Sequence, residues 1–248
     1  MKHHLRYLLI AIQFMSIFRV KDYLAESPEE MAASVGYYPW VGLLLGTVTA
    51  GMWSVASLFF SPLVSAVVAV TTLTILTRGL HLDGLADTAD GLLSHRDRAR
   101  QLEIMKDSRI GTFGVLALIL VLGLKTALLS ELPDWRILLL VPVWGRWAVS
   151  FTAALSSYAR AEGGLGRPFV NLTGRRELYL AGGATLVLSF LIMGLGGIIV
   201  TLVLTLAALL GVWTWQRQLG GVTGDILGAV IEMGETIGLL VSSTLSAC

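Results

Sequence analysis

Polar residues are scarce in this chain and gather in a few clusters. The apolar runs between them have the length of a bilayer crossing. Such runs occupy 36–60, 62–80, 111–130, 135–157, 178–194, 197–216 and 226–246, each close to the ~20 apolar residues that a transmembrane helix needs. Ser61 and Pro62 separate the first two, and a glycine-rich turn at Gly194, Gly196 and Gly197 separates the fifth and sixth. The run at 5–18 is shorter and is flanked by Lys2, Arg6, Arg19 and Lys21. That suits a helix lying in the interface better than one that spans. The pattern predicts an all-α fold: a polytopic integral membrane helix bundle of about seven transmembrane helices plus an N-terminal interfacial helix. It forms one membrane-embedded domain over residues 1–248.

Composition agrees. The chain is 55% hydrophobic and 14% charged, with a mean hydropathy of +0.75, which excludes an ordinary soluble domain. No nucleic-acid partner is expected; the bilayer is. The lone cysteine, Cys248, excludes a disulfide within the chain and a cysteine-based metal site. The N-terminus lacks a small-residue cleavage site, so no cleavable signal is expected, and no repeat is visible. Charge placement adds an orientation. Seven crossings put the N-terminus on one side with the loops at 81–110, 158–177 and 216–225, which carry most of the arginines. The positive-inside rule sends that side to the cytoplasm and Cys248 to the opposite face. The expected location is the bacterial inner membrane.

The chemistry gathers in the same loops. Asp83-Gly84-Leu85-Ala86-Asp87-Thr88-Ala89-Asp90-Gly91 ends the second apolar run. On a helix, Asp83, Asp87 and Asp90 fall on one face. Three like charges at that spacing repel and call for a counter-cation. A hard divalent ion such as Mg²⁺, which shares oxygen ligands with substrate phosphates, is the natural one. The bland alternative is a solvated acidic face with helix-breaking glycines, but carboxylates beside lipid are expensive and tend to be functional. His81 stands two residues earlier, as a proton carrier or as an interface residue. Lys106-Asp107-Ser108-Arg109 precedes the third run. The motif reads as an anion site at a helix start or as a routine N-cap with a basic flank. Glu162-Gly163-Gly164-Leu165-Gly166-Arg167 loosely resembles a phosphate-cradling loop, without the preceding strand that would make it specific. Asp225 opens the seventh run as an N-cap or a further ligand. Glu232 and Glu235 lie inside that run, with Arg146 and Lys125 as candidate partners, in a structural pair or a substrate contact. A carboxylate metal site ringed by basic residues argues for phosphoryl transfer from a pyrophosphate-type donor.

Taken together, His81–Gly91, Leu102–Gly114, Ser156–Gly166 and Gly221–Ala229 resemble the cobalamin synthase family, in order and over essentially the whole chain. The resemblance implies an Mg²⁺-dependent inner-membrane transferase. It joins adenosylcobinamide-GDP to α-ribazole or its 5′-phosphate and releases GMP. It implies that Asp83, Asp87 and Asp90 hold the metal, with Asp90 receiving the acceptor's proton. Lys106, Asp107, Ser108 and Arg109 would bind the diphosphate, and Asp225 would complete the metal or substrate site. Arg146 and Arg167 are further substrate-binding candidates. A homo-oligomer, or a membrane complex with other cobalamin-assembly enzymes, is also expected. Two alternatives remain. A CDP-alcohol phosphotransferase would show D-x-x-D-G-x-x-A-R and D-x-x-x-D, which are absent here. A cation transporter would place its acidic site at the midplane.

Overall fold

The computed structural model describes residues 2–20, 25, 27–132 and 134–246. Lys21, Cys248 and the side chain of Lys2, used above for charge and topology, lie outside the described residues. Among these residues the chain is helical, with one isolated bridge between Tyr158 and Val222.

Helix α1 (Lys2–Met15) has 14 residues, about 21 Å, too short to cross a bilayer. It packs Ile10, Ala11 and Met15 inward. Helix α2 (Pro28–Ser34) starts where Ser27 accepts the Glu30 amide and Pro28 occupies the first turn. A 3₁₀ turn then leads into α3 (Tyr38–Ser57). A tight turn at Ser61–Pro62 reverses the chain into α4 (Pro62–Leu76). The remaining helices are α5 (Leu80–Leu92), α6 (Arg98–Ile104), α7 (Thr112–Glu131), α8 (Trp135–Leu155), α9 (Arg167–Asn171), α10 (Arg175–Leu219) and α11 (Gly224–Ser246).

Five helical stretches are long and apolar enough to cross a membrane, and α4 makes a sixth when counted with its bent continuation, α5. Helix α10 looks like one 45-residue element, but Gly194 inside it has non-helical backbone angles (φ 61°, ψ −139°). The Thr201 hydroxyl donates to Ser189 Oγ at 3.1 Å. Twelve residues of straight helix would hold these atoms ~18 Å apart. Helix α10 is therefore a hairpin with arms at 175–193 and 195–219. Counting both arms brings the helices able to cross to six, or seven if the bent α4–α5 pair is one span, with the reversal at the glycine turn the sequence indicated.

Helix α8 is the central post, buried along most of its length, whereas most of α7 and α10 is left uncovered by other helices. Small residues let neighbours reach it. A Cβ at Gly42 of α3 would stand 2.6 Å from the Pro142 carbonyl oxygen. The α4–α5 connection bends the axis by 91°. Arg78 and Gly79 absorb the bend with left-handed backbone angles, φ 57° and 68°. Helix α5 consequently lies across the N-terminal ends of α7 and α11. Its aspartates stand at one end of the bundle, beyond the 91° bend.

Candidate functional site

The site is assembled where α5 crosses the start of α11. A Cβ at Gly84 would lie 2.7 Å from the Asp225 carbonyl oxygen. On the other side, Gly228 faces the backbone of His81 and Gly84, with its own would-be Cβ 3.4 Å away. Glycine on both helices permits this approach, and the approach brings Asp225 beside the acidic stripe, 135 or more residues away in sequence. Burial raises the Asp87 carboxyl to about 7, reinforced by the negative charges of Asp83, Asp225 and Asp90. Asp87 thus feels the other two carboxylates of the stripe and also Asp225, which the stripe's spacing does not reach.

Each carboxylate has a different situation. Asp83 is exposed and lines two cavities. Asp90 accepts the Gly111 amide at 2.7 Å and the Gly114 amide at 2.9 Å. Those amides begin α7. The anion site expected at that helix start is therefore filled by the protein's own carboxylate, because a helix N-terminus attracts the nearest anion. Asp225 accepts from Arg160 at 2.7 Å and from the Thr223 hydroxyl at 3.2 Å. Among the described residues, no three histidine, cysteine or acidic side chains close into a ready metal cage. The donor set nevertheless fits Mg²⁺: hard carboxylate oxygens, mutually repelling, at an open surface. Mg²⁺ typically keeps waters and takes one or two carboxylates plus substrate phosphates.

Arg160 escaped the sequence reading, which counted it only as a loop charge. Its one signal was its place in the Ser156–Gly166 motif. Paired hydrogen bonds bring that motif to the site: the Ala159 amide donates to Val222 at 2.9 Å, and the Val222 amide to Ser157 at 2.8 Å. Arg98 clamps the same junction, donating to the carbonyls of Leu219 at 2.7 Å and Ala159 at 2.9 Å. Tyr158 also lines the smaller cavity.

The basic motif sits nearby on the surface. Lys106 reaches across to Glu162 at 3.0 Å, joining the 93–111 loop to the glycine loop. Asp107 accepts the backbone amide and guanidinium of Arg109, and that hydrogen bonding holds its carboxyl down at about 2. Arg109 is 87% exposed. Ser108 shares its turn. Arg167 is an exposed residue at the start of α9. None of these lines either cavity.

His81 is buried and its Nδ1 has no hydrogen-bond partner. It stands between the acidic site and a buried ion cluster deeper in the bundle. There Lys125 donates to Glu232 and to Glu235, each at 2.6 Å, and Arg146 donates to Glu235. Arg146 is fully buried, and this pairing puts it away from both cavities. Two cations meet two carboxylates, so the cluster is neutral. An ion-transport role would need an acidic site left open to a passing cation.

The fold and site define a multi-pass membrane protein with an acidic site at one end of a helix bundle. A family model described as Cobalamin-5-phosphate synthase matches residues 7–243. The chain is 44% identical over 240 residues to an adenosylcobinamide-GDP ribazoletransferase of Roseiflexus sp., covering 96% of this chain and 88% of that protein. It is 42% identical to a protein of the same name from Desulforamulus reducens, covering 92% of each. A third, from Acetivibrio thermocellus, is 37% identical over 96% of this chain and 97% of its own. No solved structure matches. The chain belongs to the cobalamin-5-phosphate synthase family.

Proposed function

We propose that this protein is an adenosylcobinamide-GDP ribazoletransferase acting at the cytoplasmic face of the bacterial inner membrane. The observation that carries the reading is the convergence of Asp83, Asp87 and Asp225 at a surface end of the bundle, in a chain related over 96% of its length to enzymes of that name. The acceptor is α-ribazole or its 5′-phosphate. Its ribose 3′-oxygen attacks the phosphorus nearer cobinamide. A new P–O bond forms, the bond to the bridging oxygen breaks, and GMP leaves with that oxygen. The hydroxyl proton passes to a carboxylate of the stripe.

Asp83, Asp87, Asp90 and Asp225 would hold Mg²⁺, which when bound neutralises charge on the diphosphate and the departing phosphate. Lys106 and Arg109, exposed at the rim, attract the donor's phosphates. Arg160 orients Asp225 through its 2.7 Å contact. The test is direct: detergent-purified protein with Mg²⁺, adenosylcobinamide-GDP and α-ribazole should release GMP in step with the corrinoid product. No GMP release under those conditions refutes the activity.

A further inference from the structure

Two cavities meet at Asp83. The smaller, of about 270 Å³, has a buried inner end of Tyr38, Val149, Ala153 and Ile231, with the buried ring of His81 beside it. Its mouth carries Asp83, Asp225, Arg160 and Tyr158. The larger, of about 750 Å³, opens past Gln13, Met31 and Arg78. Phe14, Leu80, Leu165 and Phe169 line both, together with Asp83. A reaction that joins a small nucleoside to a very large donor needs two such spaces with the reacting phosphorus between them.

We propose that the smaller cavity is the acceptor subsite, with the dimethylbenzimidazole base of α-ribazole in its inner end and the ribose at the mouth beside Asp83 and Asp225. This rests on the ribazoletransferase reading above. The base is a flat apolar bicycle with one free ring nitrogen. The inner end matches it: walls mostly of aliphatic and aromatic carbon, with the Tyr38 hydroxyl and the His81 ring, whose Nδ1 has no partner, as its few polar groups. The guanine of the donor is a poorer fit. Its edge carries more donors and acceptors than the Tyr38 hydroxyl and the His81 ring can pair, and those left unpaired in the pocket would cost it binding. A corrin macrocycle is too large for a space at the small end of ligand-pocket sizes. The larger cavity is left to the corrinoid end of the donor, across Asp83.

The test varies the base and the wall. Calorimetric titration of the purified protein should show ribazole binding that weakens roughly fourfold for each methyl removed from the base. Ala153→Leu narrows the inner end. It should raise the KM for α-ribazole roughly tenfold or more, raise that of the analogue lacking both methyls less, and leave the donor KM within about twofold. Ala153→Val gives a milder version of the same readings if the leucine lowers the melting temperature. The subsite is overturned if ribazole and its demethylated analogue bind alike. It is also overturned if the Ala153 variants raise the donor KM and spare ribazole. Wild-type protein that binds ribazole in this graded way but releases no GMP would keep the subsite and refute the transferase reading.

Discussion

Asp90 of α5 accepts two backbone amides of the next membrane helix, Gly111 at 2.7 Å and Gly114 at 2.9 Å. One carboxylate therefore caps α7 and fixes the end of the acidic stripe. A Cβ at Gly114 would stand 2.5 Å from an Asp90 oxygen, so the contact also depends on the glycine. Asp90→Asn replaces one accepting oxygen by a donor and leaves one amide unpaired. The expected loss is about 1–3 kcal/mol of stability, read as a lower melting temperature in detergent, together with reduced turnover. Asp83→Asn, on an exposed side chain without such bonds, should leave the melting temperature nearly unchanged. Equal melting of both variants and wild type would remove the capping role.

Asp83→Asn, Asp87→Asn and Asp225→Asn should each reduce GMP release at least 10²-fold, because each removes negative charge from the proposed metal site. Chelation of divalent ions should stop wild-type turnover, and Mg²⁺ should restore it. Near-normal turnover of two of these variants in excess Mg²⁺ would mean that the ion binds elsewhere.

The Asp87 carboxyl, raised to about 7 by burial and its acidic neighbours, gives a pH signature. Its folded-state value lies above its unfolded one, so the apo protein gains stability from this group as pH falls from about 7 towards 4. A divalent cation needs the ionised form. Thermal stabilisation by Mg²⁺ should therefore grow between pH 6 and pH 8, and Asp87→Asn should flatten that dependence. A Mg²⁺ effect of constant size across the range in wild type would contradict the arrangement.

Arg146 donates to Glu235 and has no bond to Glu232, while Lys125 holds both. Arg146→Leu leaves the buried cluster with an excess negative charge and should destabilise by about 3–5 kcal/mol. Adding Glu235→Gln restores neutrality at the contact that was lost, and it should recover more melting temperature than Glu232→Gln. Equal recovery by either would mean that the cluster responds only to its total charge.

Lys106 and Arg109 are exposed, and their ion pairs with Glu162 and Asp107 lie at the surface, where such pairs contribute little to stability. Lys106→Ala and Arg109→Ala should leave melting unchanged and raise the donor KM roughly 10-fold or more through loss of a charge-assisted contact. A raised KM for ribazole with an unchanged donor KM would reassign the motif.

Much of this protein is legible in one dimension because a bilayer forces simple rules on it. Apolar run length decides what can cross, so the long apolar helices and the short α1 were readable from the sequence. The Gly194 reversal was readable too, since few other residues accept that backbone. The stripe of Asp83, Asp87 and Asp90 follows from helical periodicity. What depended on tertiary structure was which distant residues meet. No periodicity connects Asp225 to Asp83; the Gly84–Gly228 crossing and the 91° bend at Arg78–Gly79 bring them together. Nor does any local signal give Asp225 its partner Arg160, or turn Asp90 towards the start of α7. Local sequence sets the shape of each helix, because its backbone bonds close within a few residues. A site made where helices cross depends on the close approach of backbones far apart in the chain, and only packing decides that.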